Sequence, residues 1–334
     1  MKQAISIIGA GNWGTTLAVV LARKGFNIEL HSVFSQHNKD MLRQRQNRLF
    51  LKGIRFPSSL AINPSLKETL QNDIIICAIP VKFTRSVLKK IKKQRVPLGK
   101  KVFVSVSKGI ESISLKCVSQ IIKEELKNVS IAILSGPNIS REVLQGIPST
   151  SILVCKNKQI GRRLQVLFTS RTFRVYLHDD LVGVELGGAL KNIIAISCGI
   201  SDGLGFGTNT KAALVTRGLA EMTRLGKALG AKPTTFWGIS GIGDLVTTCF
   251  SPLSRNRSVG ERIGKGKKIS DITSHMLMVA EGIETVKSAY RLSKKLKIEM
   301  PITKEVYSVL YKDKPPRKAV EDLMTRPLKQ EKLY

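Results

Sequence analysis

An α/β doubly wound domain followed by an all-α domain is the fold class this sequence predicts, on three observations. Over residues 1–186, short β-type runs alternate with helical stretches. The first β run leads directly into a G-x-G-x-x-G turn and a helix. After residue 186 β-type runs almost vanish, and residues 210–230, 281–296, 301–312 and 315–324 carry helical periodicity. The expected division is a Rossmann-type dinucleotide-binding domain over 1–186 and an α-helical substrate domain over 187–334.

The elements follow in order. Ala4-Ile5-Ser6-Ile7-Ile8 is a β run, and Gly9-Ala10-Gly11-Asn12-Trp13-Gly14 joins it to a helix over 15–24. Gly9 suits the tight turn, Gly11 the approach of a pyrophosphate, and Gly14 the packing of helix on strand. The helix N-terminus offers unpaired N–H groups and a positive dipole end to the phosphates. The second strand, 26–31, ends in Ser32-Val33-Phe34-Ser35. An acid there would read the ribose 2′-hydroxyl and a base a 2′-phosphate. Neither is present, so NAD and NADP both stay open.

Residues 73–80 form a buried strand closed by proline, 82–93 a basic amphipathic helix, and 101–107 a strand that delivers Lys108 at its carboxyl end. Ligands of open α/β sheets bind at that edge, which makes Lys108 a candidate site cation. The strand 130–135 runs into Gly136-Pro137-Asn138-Ile139-Ser140, a turn whose N–H groups face a substrate or nicotinamide in one reading and merely start a helix in another. Strands over 150–155 and 172–177 complete the sheet, and His178-Asp179-Asp180 opens a long helix.

That helix carries Glu185-Leu186-Gly187-Gly188-Ala189-Leu190-Lys191-Asn192, with Leu186, Leu190, Ile193, Ile194 and Ser197 on neighbouring turns. Glycine costs about 1 kcal/mol in a helix interior, so the thin surface at Gly187-Gly188 implies close approach of another backbone or a flat ligand. Lys191 is the sole Lys or Arg between Arg174 and Lys211. An ammonium among apolar neighbours sheds its proton more readily, as a catalytic acid/base requires; a snorkelling lysine covering apolar surface is the plainer alternative. Further on, Asp244 lies among glycines and apolar residues in Gly241-Ile242-Gly243-Asp244-Leu245, and Ser254-Arg255-Asn256 sets a guanidinium beside a carboxamide. Arginine is the natural clamp for a terminal phosphate.

Composition limits the alternatives. The 334 residues carry 55 Lys+Arg against 24 Asp+Glu, a net charge of +31. The basic residues are spread in proportion to length, 30 in 1–186 and 25 in 187–334, with no basic tail. Aromatics are 5% and do not interleave with the basic residues, so no specific nucleic-acid platform is expected. The field still steers anionic ligands inward. The five cysteines (Cys77, Cys117, Cys155, Cys198, Cys249) lie far apart, which reads as reduced, cytosolic usage without disulfide or zinc site. The four histidines (His31, His37, His178, His275) have no ligand spacing, and no metal is expected. Residues 1–8 read as a strand rather than a signal peptide, and no apolar run is expected to approach the length of a membrane span.

Taken together, these motifs resemble NAD(P)-dependent glycerol-3-phosphate dehydrogenase of the bacterial cytosolic type, nearly end to end. The resemblance rests on the glycine loop 9–14, Ser107-Lys108-Gly109, Ser135-Gly136-Pro137, residues 184–192, Gly243-Asp244-Leu245 and residues 251–257, with Val279-Ala280-Glu281-Gly282 and Met300-Pro301-Ile302 added. It implies reduction of dihydroxyacetone phosphate to sn-glycerol 3-phosphate for phospholipid synthesis, and a cytoplasmic homodimer. Lys191 becomes the catalytic acid/base, and Lys108, Gly136, Asn138, Asp244, Ser254, Arg255 and Asn256 join it in the substrate site. Gly9, Gly11, Asn12, Trp13, Gly14, Val33, Lys108, Ser140, Arg255, Val279 and Glu281 fall at cofactor positions. Val33 and Phe34 stand where relatives commonly carry a basic or polar contact, and Asn138 and Ser140 replace the commoner Ser/Thr and Ala. A Rossmann-plus-helical dehydrogenase for sugar acids or hydroxyacyl thioesters is the nearest alternative, but Ser254-Arg255-Asn256 is not expected in it. A non-catalytic dinucleotide sensor or basic nucleic-acid binder is the alternative from another class.

Overall fold

A computed structural model describes residues 4–274 and 276–331; the first three residues of the expected initial strand, and His275, lie outside them. The chain divides into two compact units, 1–107 with 118–179, and 108–117 with 180–334. This moves the expected boundary from 186/187 to 179/180. The reason is local: Asp180 caps a helix that starts at Leu181, accepting the Gly183 N–H at 2.9 Å, so a cut at 186 would divide a continuous helix. The segment 108–117 goes with the helical unit because Ile110 and Cys117 join its core, and the Ser288 hydroxyl donates to the Ile110 carbonyl at 2.9 Å.

In the first unit, β1 (Ala4–Ile8), α1 (Asn12–Arg23), β2 (Asn27–His31), α2 (Ser35–Gln44), β3 (Leu60–Ile62), α3 (Leu66–Thr69), β4 (Ile74–Cys77), α4 (Val81–Lys93) and β5 (Val102–Ser105) come first. Then follow α5 (Val118–Glu125), β6 (Ser130–Ser135), α6 (Ser140–Leu144), β7 (Ser149–Cys155), α7 (Lys158–Phe168) and β8 (Phe173–His178). The strands form one sheet in the order β3-β2-β1-β4-β5-β6-β7-β8, parallel except where β7 meets β6. Residues alternate between its two faces: Ile74, Ile76, Val102 and Val104 enter one apolar cluster, Ile75, Cys77 and Phe103 the other. Both faces are covered, as a parallel sheet requires.

The second unit is helical: α8 (Leu181–Gly203), α9 (Thr208–Ala228), α10 (Asp244–Phe250), α11 (Arg255–Gly264), α12 (Ile269–Ser274), α13 (Glu281–Leu296), α14 (Pro301–Tyr311) and α15 (Pro316–Met324). A 3-10 turn (Pro233–Trp237) and a π turn (Ile239–Gly243) lead into α10. Helix α8 is the axis of this unit. It is long and apolar enough to cross a membrane, which corrects the expectation that no run approaches that length; 89% of its most apolar window is buried within the protein, as in a core helix.

Two glycine contacts set that burial. A Cβ on Gly187 would stand 2.5 Å from the carbonyl oxygen of Ser240 in the π turn. Farther along, a Cβ on Gly199 would overlap the carbonyl of Arg257, while one on Gly260 of α11 would overlap the carbonyl of Ile196. Helices α8 and α11 therefore meet backbone to backbone, a distance only glycine permits.

Candidate active site

The first unit contributes the glycine loop. Gly9 has φ +112 and a Cβ there would strike the Ala78 backbone, while a Cβ on Gly14 would overlap the Gly9 carbonyl. At Gly11, by contrast, a Cβ would meet nothing within 4 Å, so open space lies beside the backbone that caps α1. Two buried polar atoms next to it, Asn12 Oδ1 and Trp13 Nε1, have no hydrogen-bond partner among the described residues. Open space, orphaned polar atoms and a helix N-terminus fit a dinucleotide pyrophosphate. Gly11, Asn12 and Trp13 are the residues that would hold it.

Other expected cofactor positions of this unit follow β2 and β6. Ser32 is spent within its loop, its N–H on Asn38 Oδ1 at 2.8 Å and its hydroxyl on His37 Nδ1 at 3.0 Å. Val33 packs against the sheet's apolar cluster, and Phe34 is 66% exposed. Gly136 follows β6 with φ +125, Asn138 is half-buried, and Ser140 opens α6.

The second unit gathers the charged residues. Lys191 is buried on α8, 6% exposed, and its Nζ donates to Asp244 Oδ1 and to Thr248 Oγ1, the latter at 2.6 Å. The other carboxylate oxygen of Asp244 accepts Lys108 Nζ at 2.8 Å. Asp244 is 1% exposed and is the first residue of α10. One turn on, the Thr248 hydroxyl donates to the Asp244 carbonyl oxygen at 2.7 Å. A single carboxylate thus bridges two ammonium groups. Burial pulls the Lys108 pKa down to about 8; the Asp244 charge opposes that, and the Lys191 charge adds to it. Thr248 is a site residue that sequence reasoning assigned no role. Its signal was its spacing, four residues after Asp244 on one helix, which puts both on the same face.

A second network runs beside the first. Asn192 follows Lys191 on α8 and accepts Asn256 Nδ2 at 2.8 Å, while Asn256 Oδ1 accepts the Gly282 N–H at 3.0 Å. Asn256 is thereby tied to α8 and to the start of α13, with one amide N–H not used in either bond. Ser254 caps α11, accepting the Arg257 N–H at 3.3 Å, and Arg257 itself pairs with Asp202 at 2.7 Å. Arg255 is exposed, near enough to Glu281 for the two charges to act on one another, and Val279 is half-buried just before α13. Lys108, Lys191 and Asp244 are therefore in direct contact, and Asn256 is joined to the same helix. Glycine-loop residues, Val33, Gly136, Asn138 and Ser140 belong to the other unit. Among the described residues, no three His, Cys, Asp or Glu side chains group to hold a metal ion.

A Rossmann-type unit with open space at its glycine loop, and a helical unit with a buried lysine held by a carboxylate, point to a dinucleotide-dependent oxidoreductase. Comparisons with known proteins narrow that class. Residues 4–161 match the N-terminal region, and residues 180–321 the C-terminal region, of NAD-dependent glycerol-3-phosphate dehydrogenase. Glycerol-3-phosphate dehydrogenase [NAD(P)+] of Geobacter sp. strain M21 is 49% identical, with 99% of each chain covered. The enzyme of that name from Thermoanaerobacter sp. strain X514 is 48% identical, with 98% of each covered. The crystal structure of glycerol-3-phosphate dehydrogenase from Coxiella burnetii superposes with a TM-score of 0.94 at 37% identity, over 97% of this chain and 99% of that one. The chain belongs to the NAD-dependent glycerol-3-phosphate dehydrogenase family.

Proposed function

We propose that this chain catalyses the reversible, NAD(P)H-dependent reduction of dihydroxyacetone phosphate to sn-glycerol 3-phosphate, with Lys191 as catalytic acid and base. Full-length relatives bearing that enzyme's name support the reaction. For Lys191 the supporting observation is the buried triad in which Asp244 bridges Lys191 and Lys108. The bound dinucleotide supplies a hydride to the ketone carbon. Lys191 hydrogen-bonds the ketone oxygen, where charge develops, and delivers its proton there. Asp244 and Thr248 fix the direction of that amine, so little reorganisation is needed when the charge forms. Lys108 adds a second positive charge, and Arg255 takes the phosphate, with the remaining Asn256 N–H beside it. The product feeds glycerophospholipid synthesis, and the enzyme works in the cytoplasm as a homodimer.

Nicotinamide absorbance, followed with NADH and NADPH in parallel, tests the assignment. Lys191→Ala should lower kcat far more than it raises KM, whereas Arg255→Ala should chiefly raise KM for the phosphorylated ketone. A near-normal kcat in Lys191→Ala would remove that amine from the chemistry.

A further inference from the structure

Asn47 lies between α2 and β3 in the sheet unit and is wholly buried, 0% exposed. Its Nδ2 donates to the Ala10 carbonyl oxygen and to the Thr15 hydroxyl oxygen, both at 2.8 Å. Its Oδ1 accepts the Phe50 N–H at 3.1 Å and lies 3.1 Å from His37 Nε2. An amide side chain has two hydrogens to give and two lone pairs, so every one is used. Turned over, it would set its oxygen against the Ala10 carbonyl and its hydrogens against the Phe50 N–H, so the bonds themselves fix its orientation. His37 Nε2 therefore carries a hydrogen. On the other side of that ring the Ser32 hydroxyl, 3.0 Å from Nδ1, completes a chain from just beyond β2 to the glycine loop.

What the chain holds is a peptide plane. Carbonyl oxygen and amide hydrogen point opposite ways across a trans peptide, and the Ala10–Gly11 bond is trans. With its carbonyl tied to Asn47, this peptide turns the Gly11 N–H away from Asn47, and that N–H meets no acceptor among the described residues. Thr15 stands one turn into α1, so the same Nδ2 also fixes the spacing of loop and helix. The first N–H groups of a helix have no partner within it, and Asn12 and Trp13 carry two of these in α1. Hydrogen bonds to phosphate oxygens are charge-assisted and weaken steeply when misaligned. Donors from loop and helix therefore serve one anion only while their mutual orientation is kept.

We propose that Asn47 is the positioning residue of the pyrophosphate site. Wholly buried, it does not itself touch a ligand. By holding the Ala10 carbonyl and the first turn of α1 together, it aims the Gly11 N–H and the free N–H groups of α1 at one pyrophosphate. His37 acts behind it, fixing the amide oxygen. The assignment rests on the reading of residues 9–14 as the dinucleotide loop of the dehydrogenase.

Two uncharged variants of the full chain test it. Asn47→Leu keeps the volume without any hydrogen bond, and Asn47→Ser, smaller and polar, falls short of the Ala10 carbonyl. Thr15→Val is the control, since it disturbs the same packing but leaves the bond to Ala10. Binding is read by fluorescence titration with NADH and by calorimetric titration with ADP-ribose, adenosine serving as the probe without a pyrophosphate; circular dichroism verifies folding. Both Asn47 variants should lose about tenfold or more in affinity for NADH and for ADP-ribose alike, and none for adenosine. KM for NADH should rise in step, while kcat and the KM for dihydroxyacetone phosphate at saturating NADH stay near native. A merely structural role would lower the active fraction, and with it kcat, without moving the KM for NADH. Should Asn47→Leu not fold, Asn47→Ser decides. Native-like affinity for ADP-ribose in Asn47→Ser, an equal loss for adenosine, or an equal loss in Thr15→Val overturns the assignment while leaving the dehydrogenase reading intact. A native chain that binds neither NADH nor ADP-ribose overturns that reading, and the assignment with it.

Discussion

Replacing Asp244 by asparagine preserves shape and removes the charge that two buried ammonium groups share. The carboxylate side chain is 2% exposed, those of Lys191 and Lys108 are 7% and 15% exposed, and Asp244 contacts both. With Asp244 present the Lys108 pKa is about 8, so at pH 7 roughly nine-tenths of it is protonated. Asparagine removes the influences that raise that value, while burial and the Lys191 charge, which lower it, remain. Its amide also points N–H hydrogens at groups that are themselves donors. Breaking a buried ion pair by removing one partner costs about 3–5 kcal/mol. Urea unfolding at pH 7 should show a loss of that size, smaller at pH 9 because Lys108 can shed its proton and end its repulsion with Lys191.

The sign follows from linkage. A lysine held at about 8 when folded, against 10.5, binds more protons unfolded. In the native protein that penalty is full below pH 8 and is relieved between pH 8 and 10.5, a span worth about 3 kcal/mol; in the variant the folded value lies lower, relief starts below pH 8, and the stability gap between the two proteins narrows as pH rises. In parallel, kcat/KM should fall and its pH profile should move to lower pH. A variant within about 1 kcal/mol of the native protein at pH 7, with an unmoved profile, would refute the reading of Asp244 as counter-ion to both lysines.

Two further outcomes test the scaffold. In Gly260→Ala the new methyl overlaps the Ile196 carbonyl oxygen and lies 2.9 Å from its carbon. Overpacking of this kind costs about 1–3 kcal/mol and more where backbone meets backbone, so thermal unfolding should move down by several degrees and the substrate KM should rise; unchanged values would mean α8 and α11 can part freely. Glu221, 1% exposed, has a pKa raised to about 7 by burial against 4.5 in the open chain. The folded state therefore binds more protons between pH 4.5 and 7, and stability falls as pH rises through that window, by about 3 kcal/mol. Glu221→Gln should lose that fall when urea midpoints are compared at pH 5 and pH 7.5, and an identical slope in both proteins would assign the titration to another group.

Much of this was legible in the residues themselves. Apolar runs located β6 and α13 to the residue, and the strand expected over 73–80 is β4 with its flanks trimmed to Ile74–Cys77. Strand β3 escaped notice because three residues near Pro57 and Pro64 hold too little of any period. Nor could periodicity show that 108–117 leaves the sheet unit, since that depends on Ile110 and Cys117 packing in a core whose next buried residue is Leu186. Lys191 and Asp244 each stood out as a charge among apolar and small residues. Their hydrogen bond spans 53 positions and is a fact of the fold.

The thin side of α8 shows why the site is assembled from such distant segments. A flat ligand or a second backbone were the two reasons for Gly187, and the Ser240 carbonyl supplies the second. Gly199 repeats the device against α11. One contact sits just before a candidate-site segment and the other just after one: the π turn leads into Asp244 and Thr248 on α10, and Arg257 directly follows Arg255 and Asn256 in the first turn of α11. Side-chain packing leaves rotamer freedom, but a backbone pressed on glycine has none to spare. The carboxylate that orients Lys191 is thus located by main-chain contact on the same helix that bears the lysine. The roughly 1 kcal/mol that a glycine costs within α8 is offset by a fixed distance between amine and carboxylate, which a bulkier helix would have to widen.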